Sequence, residues 1–470
     1  VTHLCLLIPS VAVLLAACAA PPPATEPPLP DNARPASDWT ADFPGKTTAE
    51  PTEWLEQFDD AAMRAAVREA VEQNPGIHAA AARMRQARLR AVRDRAALLP
   101  EITAGARAAQ GGDRAGRWDF DNDYALSLSA SWEPDVWGRV GADVSASAAS
   151  AQAAEADFAA ARLSLAAATA RAWCNLVEAE QQVQLGRQTV DSYARQLRIV
   201  EKAFDRGLEA VPASDVRLVR GSSAAAESNL QGRLRSRDEA QRILESLMGR
   251  YPAAALSTTG RMPGLRREIS AGVPSSLLLR RPDILAAERR IAAAMRREEA
   301  SRKALLPSFR ISAGADSGGT RLSDFFDERK LAASLLESIT QPLYRGGALR
   351  TNVRLSEAER QELVSRYAAD AIEAFREVET ALSAETYIRE QLHAQRVFVN
   401  ESIKSRDMLE ARYERGIIEN VQNLGGGGVA VLRLLETQRR VFESQSGLLR
   451  LQNLLLQTRL DLCLALGGGF

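Results

Sequence analysis

The chain has 470 residues, and 60 Lys and Arg balance 60 Asp and Glu, so the formal net charge is zero. That balance excludes a basic surface built for nucleic acid. Aromatics make up only 5%, and Cys5, Cys18, Cys174 and Cys463 stand in no CxxC or zinc spacing, so neither a disulfide framework nor a zinc module is expected.

Residues 4–17 are apolar and uncharged and run into Cys18. The run is short for a membrane span and fits the apolar region of a signal peptide. Leu15-Ala16-Ala17-Cys18 resembles the bacterial lipobox, in which small residues fit the peptidase and the thiol accepts diacylglycerol. Cys18 is therefore the expected lipidated N-terminus. Ala19, rather than Asp, follows it, which in such lipoproteins implies delivery to the outer membrane. Residues 18–53 are rich in proline and read as an extended tether.

Beyond the tether the chain repeats itself. Pro75 to Pro100 lies over Pro282 to Pro307 without a gap, and twelve of the 26 positions are identical. Both copies close on Ala-Leu-Leu-Pro. Trp132 to Pro134 then corresponds to Thr340 to Pro342, and Arg206 to Leu208 to Arg415 to Ile417. Such a unit is too long for a solenoid repeat. The expected halves are 54–260 and 261–470.

In the first half, helix is predicted from Trp54 to Leu99, restarted at Pro75, where proline suits the first helical turn, and ended by Pro100. Strands are predicted at 101–109 and 124–132, around a polar, glycine-rich loop. A proline-free stretch then predicts a long helix over about 138–205. Within it Leu163, Ala167, Ala170, Cys174 and Val177 recur at a coiled-coil period. A break at Gly207 and Leu208 precedes a helix over about 213–248.

The second half predicts a helix from Pro282, strands at 308–316 and 331–341, and a helix over about 347–414. Val364, Ala368, Ala371, Phe375, Val378 and Leu382 mark its coiled-coil stripe. A turn at Gly416 leads to a last helix over about 429–466.

No run of 18 apolar residues follows the leader, so no transmembrane helix is expected. Yet Trp118, Phe120, Trp132, Trp137, Phe325, Phe326 and Tyr344 lie near strand ends, as at a membrane interface. Strands in lipid must close into a barrel, and four are too few to enclose an interior. Several chains must then contribute. A soluble sheet capping a helical bundle remains the other reading of the residues.

No P-loop, HExxH or GxSxG motif occurs, and His78 and His393 are isolated, so neither an enzyme, a cofactor nor a metal site is expected. Arg280-Arg281-Pro282-Asp283 is best read as structural: proline at the first helical position, an acid in the first turn, and arginines free for ion pairs.

The chain as a whole resembles the TolC-like outer-membrane efflux lipoproteins, in the branch serving resistance-nodulation-division pumps. The residues that carry this are the Cys18 lipobox, Leu279 to Ile284 with Ala287-Glu288, Gln341-Pro342-Leu343, Arg412 to Gly416, and Ala465 to Gly469. The resemblance implies a mainly helical, internally duplicated fold, with a homotrimer forming a twelve-stranded outer-membrane β-barrel continued by a periplasmic α-helical barrel. It implies a belt from residues 54–74, 250–280 and the C-terminal end. It also implies a passive exit duct for drugs or other small toxic compounds, partnered by a periplasmic adaptor and an inner-membrane pump. The implied adaptor-docking tips are Gly207, Leu208, Gly416 and Ile417. The implied gate carboxylates are Asp215 and, less directly, Glu419, because Gly425 to Gly428 interrupt the family pattern after the second tip. Export of polypeptides, or a lipid-anchored scaffold without a pore, stays open at this point.

Overall fold

The computed structural model describes residues 39–41, 54–114, 118–206, 211–265, 274–419 and 427–468. Helices dominate: α1 (Ala61–Gln73), α2 (Pro75–Arg95), α3 (Arg139–Asp205), α4 (Ala213–Leu247), α5 (Pro274–Arg280), α6 (Pro282–Lys303), α7 (Ala348–Glu419) and α8 (Gly427–Ala465). The strands are β1 (Phe58–Asp59), β2 (Glu101–Arg114), β3 (Trp118–Trp132), β4 (Gly264–Leu265), β5 (Ser308–Gly319) and β6 (Ala332–Thr340). Element order therefore repeats as the sequence does, with α2-β2-β3-α3-α4 matched by α6-β5-β6-α7-α8.

Several boundaries depart from the sequence reading. The helix expected from Trp54 is a 3-10 turn over Trp54–Gln57 followed by β1, and α1 starts only at Ala61, because Asp60 caps it there. β2 and β3 run on through the expected loop to Arg114 and back from Trp118, because a hairpin ladder pairs backbone groups whatever the side chains. β5 likewise extends to Gly319. At the second tip, α7 continues through Gly416 to Glu419, since one glycine costs a helix only about 1 kcal/mol.

The chain divides into two compact units that do not follow the repeats. Each draws matched pieces from both: 82–157 with 283–370 in the first, and 34–81, 158–282 and 371–470 in the second.

The first unit carries an antiparallel sheet in the order β2-β3-β5-β6. Its junctions explain the repeated Ala-Leu-Leu-Pro. Trp132 Nε1 donates to the Leu98 carbonyl at 3.0 Å, and Gln341 Nε2 donates to the Leu305 carbonyl at 3.1 Å, the equivalent atom of the other repeat. Trp137 Nε1 donates to the Pro307 carbonyl at 2.7 Å and packs its ring against Phe309. Helix pairs are laced by ions, with Arg88 on Glu155 at 2.6 Å and Arg360 on Glu298 at 2.6 Å.

The second unit holds a buried cluster of side chains from α3, α4 and α8. The predicted α3 stripe of Leu163, Ala167, Ala170, Cys174 and Val177 is fully buried, as are Ala371, Val378 and Leu382 of α7. Asp60 caps α1 by accepting from the Ala62 and Met63 N–H groups, and it also accepts from Trp173 Nε1 at 2.9 Å. Trp39 is buried edge-on against Phe375, while the Thr40 and Ala41 N–H groups donate to the two Glu379 carboxylate oxygens at 2.7 Å each. A short piece of the proline-rich stretch is thus pinned to α7.

Gly467 and Gly249 are among the positions that require glycine. Gly467 has φ +85°, and a Cβ there would stand 3.0 Å from the Arg280 carbonyl. Arg281 Nη1 beside it reaches Glu377 at 2.6 Å and the Ala465 carbonyl at 3.2 Å. Arg281 of the arginine box and the glycine-rich end thus meet in one joint, while Pro282 opens α6 with Asp283 in its first turn. Gly249 has φ +75°, and its Cβ would fall 2.7 Å from the Gln73 carbonyl oxygen. Gly249→Ala combines left-handed strain with a backbone clash and should cost about 1–3 kcal/mol, read as a lowered thermal unfolding midpoint. An unchanged midpoint would mean that the α1–α4 junction is looser than described.

Just past Gly249, the buried Glu245 carboxylate accepts N–H groups of Ala254, Ala255 and Leu256 at 2.8–3.0 Å. Burial raises its pKa, but these N–H groups outweigh that and hold it below the ordinary carboxylate value. The depressed pKa means the stabilisation is present above the unfolded-state pKa and fades as pH falls through the folded one. Hydrogen exchange at residues 254–256 should accelerate on acidification below about pH 4.5, relative to neutral-pH protection corrected for intrinsic rates. In Glu245→Gln that acid step should be absent.

Candidate functional site: an amphipathic sheet and the helical hairpins

Directly paired residues of an antiparallel sheet point to the same side, so the register sorts every strand residue onto a face. One face carries Ile102, Ala104, Leu126, Leu128, Ala130, Ile311, Ala313, Ala315, Leu335 and Ile339, with Ser317 and Glu337 its polar exceptions. These are not a core: Ile102 is 68% exposed, Leu335 70% and Ile339 68%. The opposite face carries Thr103, Arg107, Asp123, Ser127, Ser129, Arg310, Ser312, Asp316, Ser334 and Ser338, with Leu336 the apolar exception.

The polar face is internally bonded. The hydroxyls of Thr103 and Ser129 meet at 2.7 Å, Arg107 lies 3.8 Å from Asp123, and Arg310 Nη1 donates to Ser131 Oγ at 3.2 Å. β2 and β6 each pair on one side only among the described residues. A wide exposed apolar face is expensive in water and natural in lipid. The open edges need partners there, because hydrocarbon offers backbone groups none.

The predicted tip residues fare unevenly. Gly207 and Leu208 lie outside the described residues, as do Cys18 and Gly425. Gly416, Ile417 and Glu419 belong to the last turns of α7, and their side chains are outside the described set. Asp215 is visible in the first turn of α4 and is only 3% exposed. Among the described residues its Oδ2 has no hydrogen-bond partner, Ser214 Oγ donates weakly to Oδ1 at 3.4 Å, and burial raises its pKa. It borders an apolar cluster of Val200, Ala203, Val211, Val216, Val219, Val431 and Leu435 from α3, α4 and α8. Gln196 and Gln438, on the same helix faces as members of that cluster, are also buried with unmatched polar atoms. In this chain Asp215 thus faces packed side chains rather than open space.

Sequence reasoning missed the bonded polar face of the sheet. The alternation of Thr103, Gly105 and Arg107 with Ile102, Ala104 and Ala106 was its available signal. It also missed the Glu379 clamp and the Arg459–Glu385 ion pair, whose partners are far apart in sequence. No cluster of three or more His, Cys, Asp or Glu suited to a metal occurs among the described residues. No helix among them is long and apolar enough to cross a membrane.

One lipid-suited face, one polar face and two open edges define a segment of membrane β-barrel wall, here joined to helices of 67 and 72 residues. The class is an outer-membrane duct subunit. The chain belongs to the outer membrane efflux protein family, whose model matches residues 66–250 and 273–468, one block in each repeat. It is 30% identical to a pyoverdine export outer membrane protein, OpmQ, of Pseudomonas aeruginosa, covering 98% of this chain and 96% of that one. It is 25% identical to the cation efflux system protein CusC of Escherichia coli K12, over 88% of each chain. A crystal structure of a membrane protein from Pseudomonas aeruginosa superposes with a TM-score of 0.84 at 28% identity, covering 96% of this chain and 98% of that one. The chain is accordingly an outer-membrane efflux protein with the TolC-like fold.

Proposed function

We propose that three copies of this chain form the exit duct of a tripartite efflux system, passing small toxic compounds outward from an inner-membrane pump of the resistance-nodulation-division class through a periplasmic adaptor. The observation that carries the reading is the sheet: amphipathic across its faces and open at both edges. Pairing β6 of one copy with β2 of the next would satisfy both edges and enclose the polar face, giving a twelve-stranded barrel. The long helices supply the periplasmic wall, and the tips around Gly207–Leu208 and Gly416–Ile417 meet the adaptor.

Cys18 carries the lipid anchor, and the contacts of Trp39 with Phe375 and of Thr40 and Ala41 with Glu379 fix the tether that follows it. Asp215 is the candidate gate carboxylate of the first tip, with Glu419 its weaker counterpart at the second. The chain performs no catalysis; transport energy comes from the pump. Relatives are named for cargoes as different as pyoverdine, toluene and cations, which supports placing cargo choice outside the duct.

Purified protein in a planar bilayer tests the duct itself. Discrete conductance steps from a trimeric species are expected. A trimer that inserts yet never conducts, even after the tips are opened with Asp215→Arg, would leave a lipid-anchored scaffold as the better reading.

A further inference from the structure

A cavity of 360 Å³ lies between α3, α4 and α8, within the size range of small-ligand sites. Its charges are unbalanced. Arg233 on α4 is half-buried and donates through Nη1 to the Gln182 carbonyl at 2.8 Å. Arg450 on α8 donates to Ser446 Oγ at 3.2 Å. No described carboxylate lies within ion-pair distance of either. Each guanidinium keeps further N–H donors, since neither bonded carbonyl nor hydroxyl uses more than one. Burial, and then the charge of Arg450, lower the pKa of Arg233, so the two cations feel each other uncompensated. Glu443, the acid in the cavity lining, is ion-paired at 3.2 Å with Arg439, which also lines the cavity, so that pair cancels and leaves Arg233 and Arg450 uncompensated.

The rest of the lining is of a different kind. The Tyr193 and Phe442 rings lie 6.1 Å apart and tilted by 47°, giving an apolar wall. Ser222 spends its hydroxyl on the Leu218 carbonyl and presents a small surface. Two converging guanidiniums recognise a carboxylate by charge-assisted, bidentate geometry, and an aromatic wall rewards an apolar body attached to it.

We infer that this cavity is a binding site for a small organic carboxylate with an apolar body, held by Arg233 and Arg450 against Tyr193 and Phe442. The site is separate from the sheet and does not depend on the duct reading. A dianion without a hydrophobic part would meet the arginines and gain nothing from the rings.

The test is isothermal titration of the detergent-solubilised full chain with benzoate at neutral pH, beside butyrate and inorganic phosphate. Saturable benzoate binding at one site per chain is expected, with butyrate weaker and phosphate weakest. Arg233→Gln and Arg450→Gln should each weaken benzoate about tenfold, as the loss of a charge-assisted hydrogen bond does. Ser222→Leu, which keeps both arginines and fills the space, should abolish binding. Circular dichroism and size exclusion identify variants that remain folded and assembled. The proposal is overturned by the absence of saturable benzoate binding to wild type. It is equally overturned by binding unchanged in the double arginine variant, or by phosphate binding as tightly as benzoate.

Discussion

Leu335→Arg should stop the chain from assembling in the outer membrane, whereas Ser334→Arg, one residue earlier, should leave assembly intact. The two positions are neighbours on β6, yet the register assigns Leu335 to the face shared with Ala313 and Ser334 to the face shared with Gly314. A strand side chain near the bilayer midplane pays about 2–4 kcal/mol for arginine when it meets lipid, and little when it meets the lumen. The cost recurs in every copy, so a trimer loses about 6–12 kcal/mol, comparable with the whole stability of a domain. Membrane fractionation and the yield of trimer on size exclusion read the outcome. If arginine at 334 is the damaging one, the faces have been assigned the wrong way round.

Breaking the buried ion pair of the second unit should be the largest single cost in the helical part. Arg459 is 1% exposed, and its Nε donates to Glu385 Oε2 at 2.9 Å while Nη2 bonds Oε1. Arg389 shares the same carboxylate at 2.8 Å. Burial raises the pKa of Glu385, but Arg459 and then Arg389 outweigh it, so the carboxyl titrates below its ordinary value. Glu385→Ala leaves a guanidinium buried without its counter-charge and should destabilise by about 3–5 kcal/mol. The double replacement Glu385→Leu with Arg459→Met removes both charges and should be near neutral or stabilising. Thermal unfolding followed by circular dichroism separates the cases. A double variant as unstable as the single one would show that the pair contributes more than it costs to desolvate. Because the Glu385 pKa is depressed, its contribution is complete above the unfolded-state value and is lost only as pH falls below about 4.

Much of this architecture was legible because proline and glycine punctuate it. Pro75 and Pro282 open α2 and α6, and the absence of proline after Gly138 and Gly347 allows the long helices. The stripe Leu163 to Val177 followed from spacing alone. Strand ends were less legible: Gln110 to Arg114 look like loop, yet the ladder to Asn122 and Trp118 is made by backbone. The two compact units could not be read from the repeats, because each is assembled from both halves and no local signal encodes that exchange. For the site, the chemistry of Arg281 as an ion-pair partner was legible, but its place in one joint with Gly467 was not, since the contact spans 186 positions of sequence. Asp215 was singled out only through the family resemblance, and its burial is a property of packed helices that no single segment shows.

The duct account is tested most directly in a host deprived of its own outer-membrane duct, supplied with this gene and a matching pump and adaptor, and scored for drug susceptibility and dye retention. Restored resistance with lowered dye retention is the predicted result, and it should disappear with Leu335→Arg and persist with Ser334→Arg. Continued susceptibility in cells where the wild-type trimer is present in the outer membrane, with pump and adaptor both expressed, would contradict it.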